Sequence, residues 1–243
     1  MHINKRLTGF FGKLTNSRYS TLFTVLGLYV ALSFLTRIIF LAWSAKDAEF
    51  NLIYLLRIFF TGFVFDISTG LSFLSFYAVY LLLFPKKWIG SLADKVFTYC
   101  YLSIILLIIF FSLMAEFPFW DEFGVRFNFI AVDYLIYTYE VVSNINQSYP
   151  LPLIIAILVA SVTGTFMLLR KTGVLRNTFS DKRSIRIRSL YALPALLTAF
   201  LLLVLMKNKQ ADFSNNLVVN ELGKNGVFSF FAAFRSNELD YDT

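Results

Sequence analysis

The amino-acid sequence predicts an all-α integral membrane protein: five transmembrane helices, N-terminus inside and C-terminus outside, with amphipathic interfacial helices on the outer face. Three observations predict it. Apolar residues fill 58% of the 243 positions and charged residues only 15%, far from the composition of a soluble domain. Five apolar stretches, at about residues 21–43, 53–84, 96–117, 151–169 and 189–206, have the length a helix needs to cross roughly 30 Å of hydrocarbon. Basic residues bunch on one side: the inner segments hold fourteen Lys or Arg (four, three and seven) and the outer ones six, which sets the orientation by the positive-inside rule. The same bunching at span ends excludes nucleic acid as a partner despite the formal charge of +7.

Lys5, Arg6, Lys13 and Arg18 precede the first span with no acidic residue among them. Its apolar core continues through Arg37 to Trp43, too long for a cleavable leader, so it reads as an uncleaved signal anchor. Arg37 lies near the far end and can snorkel. The second span holds the longest apolar run, Ile58 to Phe84, with a single charge, Asp66. Four-residue spacing puts Gly62, Asp66 and Gly70 on one face with Thr69 beside them, while Phe59, Phe63, Ile67 and Leu74 are expected to point elsewhere. Small residues admit a close neighbour, so this face should meet protein and not lipid. A carboxylate there must be protonated or paired. Two roles are open to it: a hydrogen-bonded group inside the bundle, or one that grips a lipid headgroup or moves ions. Arg57 is half a helical turn out of phase with Asp66, which leaves Arg37 as the better partner.

The third span is expected to close at Glu116, Phe117, Pro118, Phe119 and Trp120, a proline among aromatics of headgroup depth. Between Glu116 and Pro150 stand five acidic residues and one basic, the mark of an external loop. Arg126, Asp133 and Glu140 recur every seven residues, so a helix over about 126–142 would carry them as one polar stripe opposite Phe129, Ile130, Val132 and Leu135. Such a helix should lie along the outer interface, its stripe facing either solvent or a lipid headgroup or following domain. The fourth span is uncharged, with Pro152 in its first turn, where a missing donor costs nothing. Residues 170–188 carry seven basic groups and one acid and must be inner; their attraction for anionic lipid, roughly 1 kcal/mol per group, reads as a by-product of topology. The fifth span contains Pro194. Beyond Met206, Val219, Leu222, Phe230, Phe231 and Phe234 recur at helical spacing, interrupted by Gly223 and by Asn225 with Gly226, which predicts one or two short helices on the outer leaflet.

Chemistry is sparse. His2 is the only histidine and Cys100 the only cysteine, which removes the usual catalytic base, the commonest metal ligand and any disulfide within one chain. No phosphate loop, nucleophile elbow or zinc-spaced ligand set occurs. No cofactor or metal is expected in this segment.

Two stretches nevertheless carry a pattern. Phe123 to Pro150, with Arg126, Phe127, Asn128, Asp133, Tyr134, Glu140, Asn144, Ile145, Ser148, Tyr149 and Pro150, resembles the membrane region of the lipoteichoic acid synthase family in its Bacteroidetes-type form. So does the tail, with Asn220, Glu221, Leu222, Asn225, Gly226, Phe230, Ala233, Phe234, Asn237, Leu239, Asp240 and Tyr241, and Gly62, Phe65 and Asp66 fit as well. The resemblance implies a five-helix membrane domain, residues 1–206, and extracytoplasmic linker helices, residues 207–243, leading to a catalytic domain of the sulfatase and alkaline-phosphatase superfamily at a bacterial inner membrane. It implies phosphoglycerol transfer from phosphatidylglycerol through a Thr nucleophile and a divalent metal, manganese or zinc; phosphoethanolamine transferases share the plan. The sequence reaches Thr243 where that domain would begin, so neither nucleophile nor metal ligands have positions in it. Expected partners are membrane phospholipid and the protein's own catalytic domain. Asp66, Arg37, Arg126, Asp133 and Glu140 are the candidates for lipid or domain contact. Two other readings stand beside this one: a free-standing membrane scaffold that recruits a partner, and an ion or proton pathway through Asp66.

Overall fold

The computed structural model describes residues 16–46, 51–136 and 150–237, and every regular element among them is helical. Five helices are long and apolar enough to cross a membrane: α1 (Ser20–Trp43), α2 (Leu52–Leu83), α3 (Leu92–Phe123), α5 (Leu151–Lys171) and α7 (Ile185–Leu205). Four short helices, α4 (Phe129–Ile136), α6 (Val174–Ser180), α8 (Leu217–Gly223) and α9 (Gly226–Asn237), complete the described chain. Local chemistry sets the starts. The Asn51 side chain accepts from the Tyr54 backbone N–H at 2.8 Å and that of Ser91 from Asp94 at 3.4 Å, each satisfying a donor that the first turn leaves unpaired.

The third span differs from expectation. Its helix runs from Leu92 straight through Pro118 to Phe123. Proline removes only the bond its own N–H would make one turn back, and the turns beyond it are held by burial of Phe119 and Trp120. The stop is Gly124, at φ 66°, whose N–H closes on the Trp120 carbonyl at 2.8 Å. The outer helix is also shorter at its start than the heptad spacing suggests: α4 begins at Phe129, where the Asn128 side chain accepts from Ile130 N–H at 2.9 Å. Arg126 therefore precedes α4 and is not on its polar stripe. Glu140, and the rest of the expected helix beyond Ile136, lie outside the described residues.

α2 is the central element, packed along both α7 and α1. Its small-residue face does meet protein: Gly62, Asp66, Thr69 and Gly70 are buried, and a Cβ on Gly70 would sit 2.6 Å from Leu26 Cδ1. Leu74, expected to point elsewhere, lies on that face too, because the four-residue spacing simply continues past Gly70. α3 meets α2 through aromatic rings, with Tyr80 on Phe97 at 3.8 Å and Tyr77 on Tyr101 at 5.4 Å between centroids. Outward, α5 and α7 present Ile155, Ile157, Leu197 and Phe200, apolar surface that only lipid can cover without penalty.

Charge ties the Ser20 end together. The Arg18 guanidinium makes two 3.0 Å bonds to Asp94, and its backbone N–H reaches Asp181 at 2.7 Å. Arg188 donates to the carbonyls of Leu81 and Phe84 at the end of α2, the first of them shared with Arg18 Nε. Burial pushes the Asp181 carboxyl up, but hydrogen bonds from the Arg183 side chain and from the Arg18 and Arg183 backbone outweigh it, and its pKa lies below the ordinary value. A lowered pKa stabilises the fold fully above about 3.9 and loses that contribution as pH falls through the folded value. Asp181→Asn is therefore expected to flatten the fall in melting temperature below about pH 4 in detergent; an unchanged acid limb would show that Asp181 is not linked to folding.

Candidate functional site

Half-way along α2, Asp66 is fully buried, and the sequence supplies everything it needs. Arg37, also fully buried, crosses from α1 to bind both its oxygens at 2.8 and 3.1 Å. Ser33, one turn earlier on α1, donates to the same carboxylate at 2.7 Å. The absence of a side chain at Gly62 is what lets the guanidinium lie flat against α2, since a Cβ there would fall within it. The pair thus rests on three residues at helical spacing: Ser33 and Arg37 on one helix, Gly62 four before Asp66 on the other.

The remaining donors of Arg37 point out of the bundle. Nε donates to the Leu222 carbonyl at 2.9 Å and Nη2 to that of Lys224 at 3.2 Å, the end of α8. Asn225 follows and works in both directions. Its Oδ1 caps α9 by accepting from Phe228 N–H at 3.0 Å, while its amide donates to Asp66 at 2.8 Å and to the Tyr29 hydroxyl at 2.9 Å. A cation stands at the C-terminus of α8 and carboxylates at the N-terminus of α9, the arrangement both helix dipoles favour.

A second ion pair adjoins the first. Glu116 on α3 binds Arg126, whose backbone N–H donates to Glu221 at 2.9 Å; Glu221 in turn takes Lys224 at 2.7 Å. A Cβ on Gly226 would come within 2.5 Å of Glu116 Oε1, so α9 begins directly against that carboxylate. The Arg126 guanidinium lies 4.8 Å from the Phe40 ring, which stacks on Trp120 at 4.5 Å. Its Nε and Nη2 find no hydrogen-bond partner among the described residues. Arg37, Arg126 and Lys224 balance Asp66, Glu116 and Glu221, so the cluster is neutral as a whole.

Of the residues singled out in the sequence, Arg37, Asp66 and Arg126 meet here. Asp133, partly exposed on α4, is not among the hydrogen-bonded members. Sequence reasoning missed Tyr29, Ser33 and Glu116 as members, and singled out Glu221 and Asn225 only through the resemblance. One signal was present: Asn225 and Gly226 mark a helix start as well as an interruption. Asp66 takes four donors, three of them on Oδ1 from Ser33, Arg37 and Asn225 and one on Oδ2 from Arg37. Among the described residues no group of three or more His, Cys, Asp or Glu could hold a metal ion. What the arrangement can do is hold α8 and α9 on the end of the bundle.

Comparison with protein-family models, with curated proteins and with solved structures finds no match for the chain. The fold and the cluster define a class: a multi-pass helical membrane protein with a C-terminal segment clamped to one end of its bundle by buried ion pairs.

Proposed function

We propose that the chain is the membrane-embedded domain of a lipoteichoic acid synthase-like phosphotransferase, anchoring an extracytoplasmic catalytic domain and helping to present a phospholipid donor, phosphatidylglycerol. One observation carries the reading. The residues that bear the resemblance in three separate stretches, Gly62 and Asp66, Arg126, and Glu221, Leu222, Asn225 and Gly226, converge on a single buried cluster that fastens the segment following the last span. A linker so fastened would fix the height and orientation of whatever follows it. Confining an enzyme and its lipid to one surface raises their effective concentration, and a fixed linker converts that into alignment. In this reading the α8–α9 end faces outward, in keeping with the smaller share of basic residues there, and Asp133 and Glu140 face lipid or the following domain. The metal belongs to that domain.

The reading predicts that the reading frame continues past Thr243 into a domain with His and Asp metal ligands. It also predicts that the full-length protein in phosphatidylglycerol liposomes releases diacylglycerol. Arg126→Ala should lower that release, on the order of a hundredfold at most for a displaced catalytic partner, with membrane insertion unchanged. Unaltered release removes Arg126 from the mechanism. Activity only when phosphatidylethanolamine replaces phosphatidylglycerol identifies a phosphoethanolamine transferase instead. A frame without such a domain leaves the scaffold reading, for which exposed Leu217, Phe231 and Phe234 on α8 and α9 offer a partner surface.

A further inference from the structure

We infer that the Ser20 end of the bundle is a rigid cationic platform that selects anionic phospholipid headgroups in the leaflet it adjoins. The surface is independent of the phosphotransferase reading and lies at the opposite end of the molecule from the Asp66 cluster. Its basis is an excess of cations in the segments that form this end, which the fold displays at the surface. Both acids in the segments forming this end are engaged internally, Asp94 by Arg18 and Asp181 by Arg183. Lys86, Lys87, Lys95, Lys171, Lys182 and Arg186 remain exposed around them, and no ion pair among the described residues involves any of the six. The N-terminal residues cannot neutralise them, because the first twenty contain no acid. At the other end Arg37, Arg126 and Lys224 each face a carboxylate, and the exposed cations there include Lys46, Arg57, Lys207 and Lys209.

Two features make this a headgroup surface and not a merely solvated loop. First, the cations are mounted on a fixed frame. Arg18 joins α1 to Asp94 and the Leu81 carbonyl, Thr21 joins Thr178 at 2.7 Å, and Gly90 packs so closely on the Phe179 carbonyl that a Cβ would stand 2.6 Å from it. A backbone already held in place spares the cost of ordering the loops on binding. Second, the depth is right. α5 ends at Lys171 and α7 begins at Ile185; each has 21 residues, about 31 Å, which matches the hydrocarbon thickness and leaves Lys171 and Arg186 at headgroup level. Trp88, 54% exposed with the Lys87 ammonium 5.6 Å from its ring, has the amphipathic character of an interfacial anchor.

The test uses the whole chain reconstituted in phosphatidylcholine vesicles, with spin-labelled phosphatidylglycerol compared against spin-labelled phosphatidylcholine. The wild type should immobilise phosphatidylglycerol in preference, and added salt should reduce the preference. The variant K86Q/K87Q/K171Q/R186Q should bring the two lipids to parity while melting as the wild type does in phosphatidylcholine alone. K207Q/K209Q, at the other end, should retain the wild-type preference. A quadruple variant that keeps its selectivity, a K207Q/K209Q variant that loses it, or a wild-type preference indifferent to salt would each overturn the inference.

Discussion

Replacing Arg37 with alanine is expected to lower the stability of the protein by about 3–5 kcal/mol and to release α8 and α9 from the bundle. The size of the effect comes from what remains behind. Asp66 stays at 0% exposure with Ser33 and Asn225 as its only donors, and a carboxylate without its cation is far costlier to bury than the pair. The carbonyls of Leu222 and Lys224 lose their partner in the same step. Two readouts separate the consequences. Trp120, stacked on Phe40 beside the cluster, reports thermal unfolding by its fluorescence, whereas Trp43 and Trp88 are exposed. Trypsin reports undocking at Lys224, whose side chain is 14% exposed while it is held by Glu221 and Asp212. Arg37→Met combined with Asp66→Leu supplies the decisive contrast: exchanging both partners for apolar groups should restore most of the melting temperature, since no buried charge is left without its partner. Lys224 should nevertheless stay open to trypsin, because the α8 carbonyls have lost the Arg37 donors and Asn225 its bond to Asp66. If Lys224 remains protected in Arg37→Ala, the ion pair does not hold the C-terminal segment.

That separation between bundle and clamp also marks how far the sequence could be read. Five spans were legible because crossing a membrane demands some twenty apolar residues in a row, a one-dimensional signal. The polar face of α2 was legible because Gly62, Asp66 and Gly70 are spaced on a single helix, and Arg37 followed because Arg57, the other cation within a span, is half a helical turn out of phase with Asp66. What lay hidden was everything that depends on which helices meet at their ends. Glu116 looked like a membrane exit because its partner, Arg126, is reached only after α3 has run through Pro118 and turned at Gly124. Arg126 itself fitted a seven-residue repeat that the chain does not use, since Asn128 starts α4 after it. Asp94 stands among Lys86, Lys87 and Lys95 in the sequence, and its role appears only when Arg18 is brought alongside. Buried ion pairs between distant segments leave no periodic trace, because either partner alone resembles a surface residue.

Gly62→Ala, the smallest change that can disturb the clamp, is expected to destabilise by about 1–3 kcal/mol from overpacking alone. The new methyl group would occupy the space of the Arg37 guanidinium. That group cannot step aside freely, since it is held by Asp66 on one side and by the Leu222 carbonyl on the other. Relief by rotating Arg37 away would abandon those bonds and carry the cost toward that of Arg37→Ala. Gly70→Ala meets the Leu26 methyl at 2.6 Å, but the far end of a leucine can rotate, so a smaller loss is expected there. Gly27→Ala, on an exposed face of α1 with nothing within 4 Å, should change stability by no more than about 0.5 kcal/mol. The three variants add the same atom to three helix glycines, so helix propensity cannot account for a ranking of Gly62, then Gly70, then Gly27 in thermal melts. Trypsin should add the diagnostic difference, with Lys224 opened in Gly62→Ala and closed in the other two. Equal melting temperatures for Gly62→Ala and Gly27→Ala would mean that the guanidinium does not lie against α2, and the account of the cluster as a clamp would fail with it.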